Sequence, residues 1–269
     1  MQNSPSQPIG IFDSGIGGLT VARALIDVLP NENIIYFGDT ARCPYGEKSQ
    51  ATIHSYAKQI TEMLLSKGCK LILIACGTAS AAAYEEIQKQ FASQALIVDV
   101  INPVVEFLGE NYRDRNIGLI ATRFTINSAI YAKKLKVLNA GINLVSQAAP
   151  LIVPVIEEGL HHHAKIVDSL LEIYLGTPEF NDIEALVLAC THYPLLKEQI
   201  NAFFKGKVKI IDSSRIVAVQ VHKALAKQNL RHTGKKTQEH FYISDYTQSF
   251  AENAYRFFGE NIHLEHYPL

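Results

Sequence analysis

Short apolar runs alternate with longer amphipathic stretches along almost the whole chain. The runs that read as strands are residues 8–13, 34–38, 70–75, 96–101, 116–121, 142–147, 185–189, 208–212 and 240–244. Many are apolar at both odd and even positions, as in KLILIA and ALVLA, which is what a strand covered by helices on both faces requires. Between them the sequence predicts helices over 18–29, 49–67, 79–93, 103–111, 125–138, 152–175, 195–205, 214–227 and 246–257. Strand then helix, repeated, predicts βαβ units in mainly parallel sheets, an α/β architecture of the doubly wound kind.

The pattern leaves one sheet and returns at two places. Asn102-Pro103 and Ile211-Asp212 each follow an apolar strand, and proline biases its predecessor away from helix. The expected first domain is therefore residues 1–102 plus 212–269, with a second domain of residues 103–211 inserted in it. Segment 228–238, QNLRHTGKKTQ, is polar and reads as an exposed loop.

At 269 residues the chain is long enough to bury a substantial core in two such domains. Lys plus Arg (25) nearly cancel Asp plus Glu (26), so no global field favours nucleic acid or an anionic membrane. The start, MQNSPSQPIG, has no basic, apolar leader, and no apolar run approaches the roughly 20 residues of a spanning helix, so a soluble, cytoplasmic protein without membrane partners is expected. Four cysteines without a CxxC pair argue for reduced thiols rather than a disulfide framework or structural zinc.

Two of those thiols stand in matched contexts. Cys76 closes the run in LILIACGTAS and Cys190 the run in ALVLACTHYP, and each is followed by a polar turn and an amphipathic stretch ending in Phe. In open α/β sheets ligands sit beyond the carboxyl ends of strands, beside helix N-termini that favour anions. Two thiols brought face to face there suit proton transfer at one carbon, because a thiol pKa of about 8.5 lets each act as acid or base. A single free cysteine is more often a small buried hydrophobe, and Cys43 and Cys69 are read that way.

Two further turns carry polar groups. DSGIGG (Asp13–Gly18) offers glycines through which a backbone can approach a ligand carboxylate, and it is neither GxGxxG nor a phosphate loop. GDTARCPYGEKS, from Gly38, places Asp39, Thr40, Tyr45 and Gly46 between a strand and a helix.

Together with ACGTAS, ATRFTINSAIY (from Ala121), VPVIEEG (from Val153) and LACTHYP, the blocks FDSGIGGLTV and YFGDTARCPYGEKS resemble the signature segments of the glutamate racemases, in the cofactor-independent aspartate/glutamate racemase superfamily. The resemblance runs in order from residue 9 to about 214. It implies two similar domains related by pseudo-two-fold symmetry, with the active site in the cleft between them. It also implies interconversion of L- and D-glutamate, supplying D-glutamate for peptidoglycan, with neither pyridoxal phosphate nor metal.

By the same resemblance Cys76 is the base toward D-glutamate and Cys190 the base toward L-glutamate. Asp13 stands by the first thiol, and His192 with Glu157 by the second. Asp13, Ser14, Tyr45, Gly46, Gly77, Thr78, Thr122, Thr125, Thr191 and His192 match positions that hold the substrate. Gly77 departs from the asparagine usual in the family, and Ala189 from its glycine; loss of the amide is expected to weaken the substrate by about 1–3 kcal/mol. Two alternatives follow, a racemase of another acidic amino acid and a non-catalytic regulator that binds DNA gyrase, while homodimer and monomer both stay open.

Bland readings compete at several positions. Asp13 could simply cap the helix after it, Glu157 could be a solvated helix residue, and His192 an ordinary turn histidine. The run His161-His162-His163 tempts a metal reading, but consecutive helical positions do not face one another, so no metal site is expected.

Overall fold

The computed structural model describes residues 3–260 and 262–269. Its strands, in chain order, are β1 (Ile9–Asp13), β2 (Ile34–Gly38), β3 (Leu71–Ile74), β4 (Leu96–Asp99), β5 (Asn116–Ala121), β6 (Asn143–Ala148), β7 (Ala185–Leu188), β8 (Lys209–Asp212), β9 (Glu239–Ile243) and β10 (Leu264–His266). They form two sheets, one ordered β10-β9-β2-β1-β3-β4 and the other β6-β5-β7-β8. Every pairing is parallel. The order β2-β1-β3-β4 recurs as β6-β5-β7-β8, so β3 and β7 hold equivalent places. Cys76 and Cys190 each lie two residues beyond the last residue of those strands.

The helices are α1 (Leu19–Val28), α2 (Gln50–Ser66), α3 (Gly77–Phe91), α4 (Asn102–Asn111), α5 (Arg123–Ser128), α6 (Ile130–Val137), α7 (Ile152–Glu157), α8 (Ala164–Leu175), α9 (Lys197–Phe203), α10 (Ser213–Lys227) and α11 (Gln248–Phe258). They cover the sheets on both faces, which is why β1, β2, β3 and β7 are buried at every residue. One apolar cluster joins Ile11, Leu71 and Leu73 of the first sheet to Ile120, Leu186 and Leu188 of the second, with Leu25 of α1 and Val221 of α10 between them. The opposite faces have separate clusters, Phe12, Phe37 and Ile74 with α2 and α3, and Leu119 and Val187 with α4. Each fully buried Ile, Leu or Phe contributes about 1.5–3 kcal/mol, so the shared cluster holds the sheets together and fixes the cleft at their edges.

The structure departs from the sequence pattern at four places. The helix expected over 125–138 breaks at Ala129, whose φ of 53° is left-handed, giving α5 and α6. The helix expected over 152–175 ends at Glu157, turns through Gly159 at φ 72° and a 3-10 turn over Leu160–His162, and restarts as α8. Hydrophobic periodicity runs straight through one left-handed residue, because the apolar spacing on either side is unchanged. The stretch over 195–205 opens as a 3-10 turn, Tyr193–Leu196, before α9. β10 is three residues long and half-polar, too short to show as an apolar run. Among the described residues no helix is long and apolar enough to cross a membrane.

Candidate active site

The carboxyl ends of β3 and β7 face a common cavity of about 180 Å³. It is lined by both cysteines, by Glu157 and His192, and by Ser14, Tyr45, Gly46, Gly77, Thr78, Thr122 and Thr191. Of the residues singled out in the sequence, Asp13 and Thr125 stand one layer back. Thr125 is buried and reaches the cavity through hydroxyls, its Oγ1 lying 3.1 Å from Thr122 Oγ1, which is in turn 2.9 Å from Thr78 Oγ1.

On the first side, α3 begins directly after the strand and Cys76 is its N-cap: the sulfur accepts the N–H of Ala79 at 3.4 Å and donates to Ser14 Oγ at 3.5 Å. Burial, then the charge of Asp13, push this thiol up to about 12, against the smaller pull of the Ser14 and Ala79 contacts. Asp13 is buried too; its Oδ2 accepts the N–H of Gly15 at 3.0 Å, and its Oδ1 has no hydrogen-bond partner among the described residues. Burial raises its carboxyl above the ordinary range, opposed by the His192 charge and the N–H groups of Gly15 and Gly18. A thiol and a carboxyl group both held toward their neutral forms sit together here.

On the second side, Cys190 Sγ is 4.0 Å from His192 Nδ1, and His192 Nε2 is 2.8 Å from Glu157 Oε1. Burial alone pulls the imidazolium down, but hydrogen bonds and charge from Cys190 and Glu157 outweigh it and raise His192 to about 10. The cavity is thus flanked by one thiol backed by a carboxyl group and one backed by an imidazolium–carboxylate pair.

Glycines make this arrangement sterically feasible. A Cβ on Gly17 would lie 2.4 Å from both Cε1 and Nδ1 of His192, so the ring packs directly against the DSGIGG loop. Thr20 Oγ1 donates to the Thr191 carbonyl at 3.0 Å, fastening the start of α1 to the turn after Cys190. Of DSGIGG, Ser14 lines the cavity, and Gly17 makes room for this close packing. Gly77 has a comparable reason: a Cβ there would come 2.8 Å from the Ala189 carbonyl across the cleft. The walls meet where an asparagine was expected, and a larger residue would force them apart.

Several lining residues escaped the sequence reading. Cys43, taken there as structural, lines the cavity beside Tyr45 and packs on Gly15, and burial pushes its thiol up. Arg123 and Glu47, both exposed, stand at the rim. Their signal was adjacency alone, next to Thr122 and Gly46. Tyr45 donates its hydroxyl to Asp39, which also takes Arg42 Nε at 2.7 Å, so that hydroxyl is committed away from the cavity. The histidine run is a correction: it opens in a 3-10 turn, not a helix, and the rings of His161 and His162 face one another with centroids 4.0 Å apart. Among the described residues no group of three His, Cys, Asp or Glu is placed to hold a metal.

Residues 19–221 match the Asp/Glu/hydantoin racemase family model. The chain belongs to that family. This racemase-family chain is 42% identical to the glutamate racemase of Chlorobium phaeobacteroides over 96% of its own length and 94% of the relative's. It is 41% identical to the glutamate racemase of Neisseria meningitidis serogroup A over 97% of each. The crystal structure of the Francisella tularensis glutamate racemase in complex with D-glutamate superposes with a TM-score of 0.90 at 40% identity, covering 98% of each chain. The racemase-family match includes both cysteines, His192 and Glu157, while Asp13, Ser14 and α11 lie outside it.

Proposed function

We propose that this protein interconverts L- and D-glutamate by a two-base mechanism in the cleft between its sheets. The observation that carries the proposal is the pair of thiols at equivalent strand ends, both lining one cavity, in a chain whose relatives are glutamate racemases. One sulfur removes the α-proton, the other gives a proton to the opposite face, and the roles exchange for the reverse reaction, so acid and base are regenerated over a full cycle. Cys76 is the base toward D-glutamate and Cys190 the base toward L-glutamate.

The neighbours fit those duties unequally. A thiol raised to about 12 is protonated at neutral pH, which makes Cys76 a proton donor as it stands. To act as base it must first lose that proton, and Asp13 in its ionised form is the adjacent group able to accept it. His192, charged and held by Glu157, exchanges a proton with Cys190. Charge building on the substrate carboxylate is met by the Thr78 and Thr122 hydroxyls and by the free N–H groups of the first turn of α3. The residues therefore supply acid, base and anion stabilisation, and no step in the scheme calls on a cofactor.

The first domain in this reading comprises residues 1–102 plus 212–269 and the second residues 103–211, a division supported by the membership of the two sheets. Four free thiols accord with a reducing compartment, and a cytoplasmic enzyme supplying D-glutamate for peptidoglycan is the role proposed. Circular dichroism of L-glutamate incubated with the purified protein tests the activity. Decay of the signal to zero is expected; a signal that persists with L-glutamate but decays with L-aspartate would assign the other acidic substrate.

A further inference from the structure

The last of the described helices touches the Cys190 side of the site from behind. α11 lies outside the matched family segment and lines no part of the cavity. Its inward face nevertheless carries four buried residues, among them Asn253 at 3% and Phe257 at 4% exposure. Asn253 Nδ2 donates to the backbone carbonyl of Glu157 at 2.9 Å. That carbonyl ends α7, a helix only six residues long, and is among the groups a helix terminus leaves without an internal partner. Arg256 Nη1 donates to Asn253 Oδ1, which fixes the amide so that its N–H₂ faces Glu157. Phe257 meets the His192 ring edge to face, with centroids 4.9 Å apart and planes at 77°.

We infer that α11 is a positioning element for the His192–Glu157 pair: Asn253 pins the helix end that carries Glu157, and Phe257 sets the plane of the His192 ring. Among the described residues no equivalent brace reaches Cys76, whose sulfur is held by its own helix and by Ser14. The inference rests on the proposed racemase reading for its kinetic consequence, and on geometry alone for its structural one.

Asn253→Ala and the milder Phe257→Leu test it, with Tyr255→Ala on the exposed face of α11 as control. Loosening a group that must be held to within an ångström costs about 10- to 100-fold in kcat. Because the two enantiomers are equal in energy, kcat/KM must fall equally in both directions; the asymmetry shows in isotope effects. Cys190 breaks the bond in α-deuterated L-glutamate, so the primary effect there should grow. It should shrink with α-deuterated D-glutamate, where proton delivery by Cys190 becomes limiting. Equal changes in both directions, or none, in variants that keep the wild-type melting temperature overturn the inference. A readout independent of turnover is the imidazole ¹⁵N resonances of His192, which should move in both variants and stay put in Tyr255→Ala; unmoved resonances also overturn it. A wild-type protein that leaves glutamate optically active would instead overturn the racemase reading and leave the resonance test standing.

Discussion

β3 and β7 occupy equivalent positions in their sheets, yet the chain behaves differently after each. Beyond Cys76, α3 starts at once, and the sulfur itself closes the first helical turn by accepting from Ala79. Beyond Cys190, Thr191, His192 and a 3-10 turn intervene before α9 begins. The added residues make room for an imidazole, and the DSGIGG loop of the other sheet supplies the glycine against which it lies. One scaffold position has thus been given two chemistries: a thiol with a buried carboxyl group for a neighbour, and a thiol with a charged imidazole. Near-symmetry brings both groups to one cavity, and the local departure from it decides which titratable neighbour each has.

The largest effect that can break this comparison comes from the thiols themselves. Cys76→Ala and Cys190→Ala should each lower racemisation by at least about 10³-fold, measured by circular dichroism, since each removes a proton-transfer group that nothing else in the cleft replaces. Substantial turnover by either variant would dissolve the pairing. Next come the neighbours. Asp13→Asn and His192→Asn should each cost about 10²–10³-fold in kcat, with opposite isotope signatures: a larger α-deuterium effect on D-glutamate for the first and on L-glutamate for the second. The same signature for both would mean that the sides are not distinct.

A smaller effect concerns packing. Gly17→Ala sets a methyl group against the His192 ring at 2.4 Å and should destabilise the fold by about 1–3 kcal/mol, read as a lower urea midpoint, while Gly46→Ala, with its nearest neighbour at 3.5 Å, should change stability little. The smallest prediction is a pH dependence. His192 binds its proton up to about pH 10 when folded but only to about 6.5 when unfolded, so its contribution to stability is complete below about 6.5 and is lost as the pH rises toward 10. The melting temperature of the native protein should therefore fall more between pH 7 and 10 than that of His192→Asn. Parallel curves would remove the charge assigned to His192.

The parallel sheets were legible because short runs that are apolar at odd and even positions alike suit strands covered on both faces, and the cysteines because each closes such a run. His192 and Glu157 could be singled out only by resemblance: they are separated by 35 positions, and their contact depends on α7 ending at Glu157, where the hydrophobic pattern continues without a break. Asn253 and Phe257 left no trace at all in the sequence, since a polar residue and an aromatic on an amphipathic helix look like any others. Gly77 pointed to a lost substrate contact when judged as a side chain; the carbonyl of Ala189 opposite it gives a steric reason that only the folded cleft reveals.

The central claim is that two thiols act from opposite faces, and the position of solvent deuterium tests it most directly. L-glutamate incubated with the protein in D₂O and quenched after a small fraction of turnover should yield D-glutamate carrying deuterium at the α-carbon, while the remaining L-glutamate keeps its original proton. Deuterium entering both enantiomers at the same rate, or D-glutamate that retains the substrate's own proton, would contradict the two-base account.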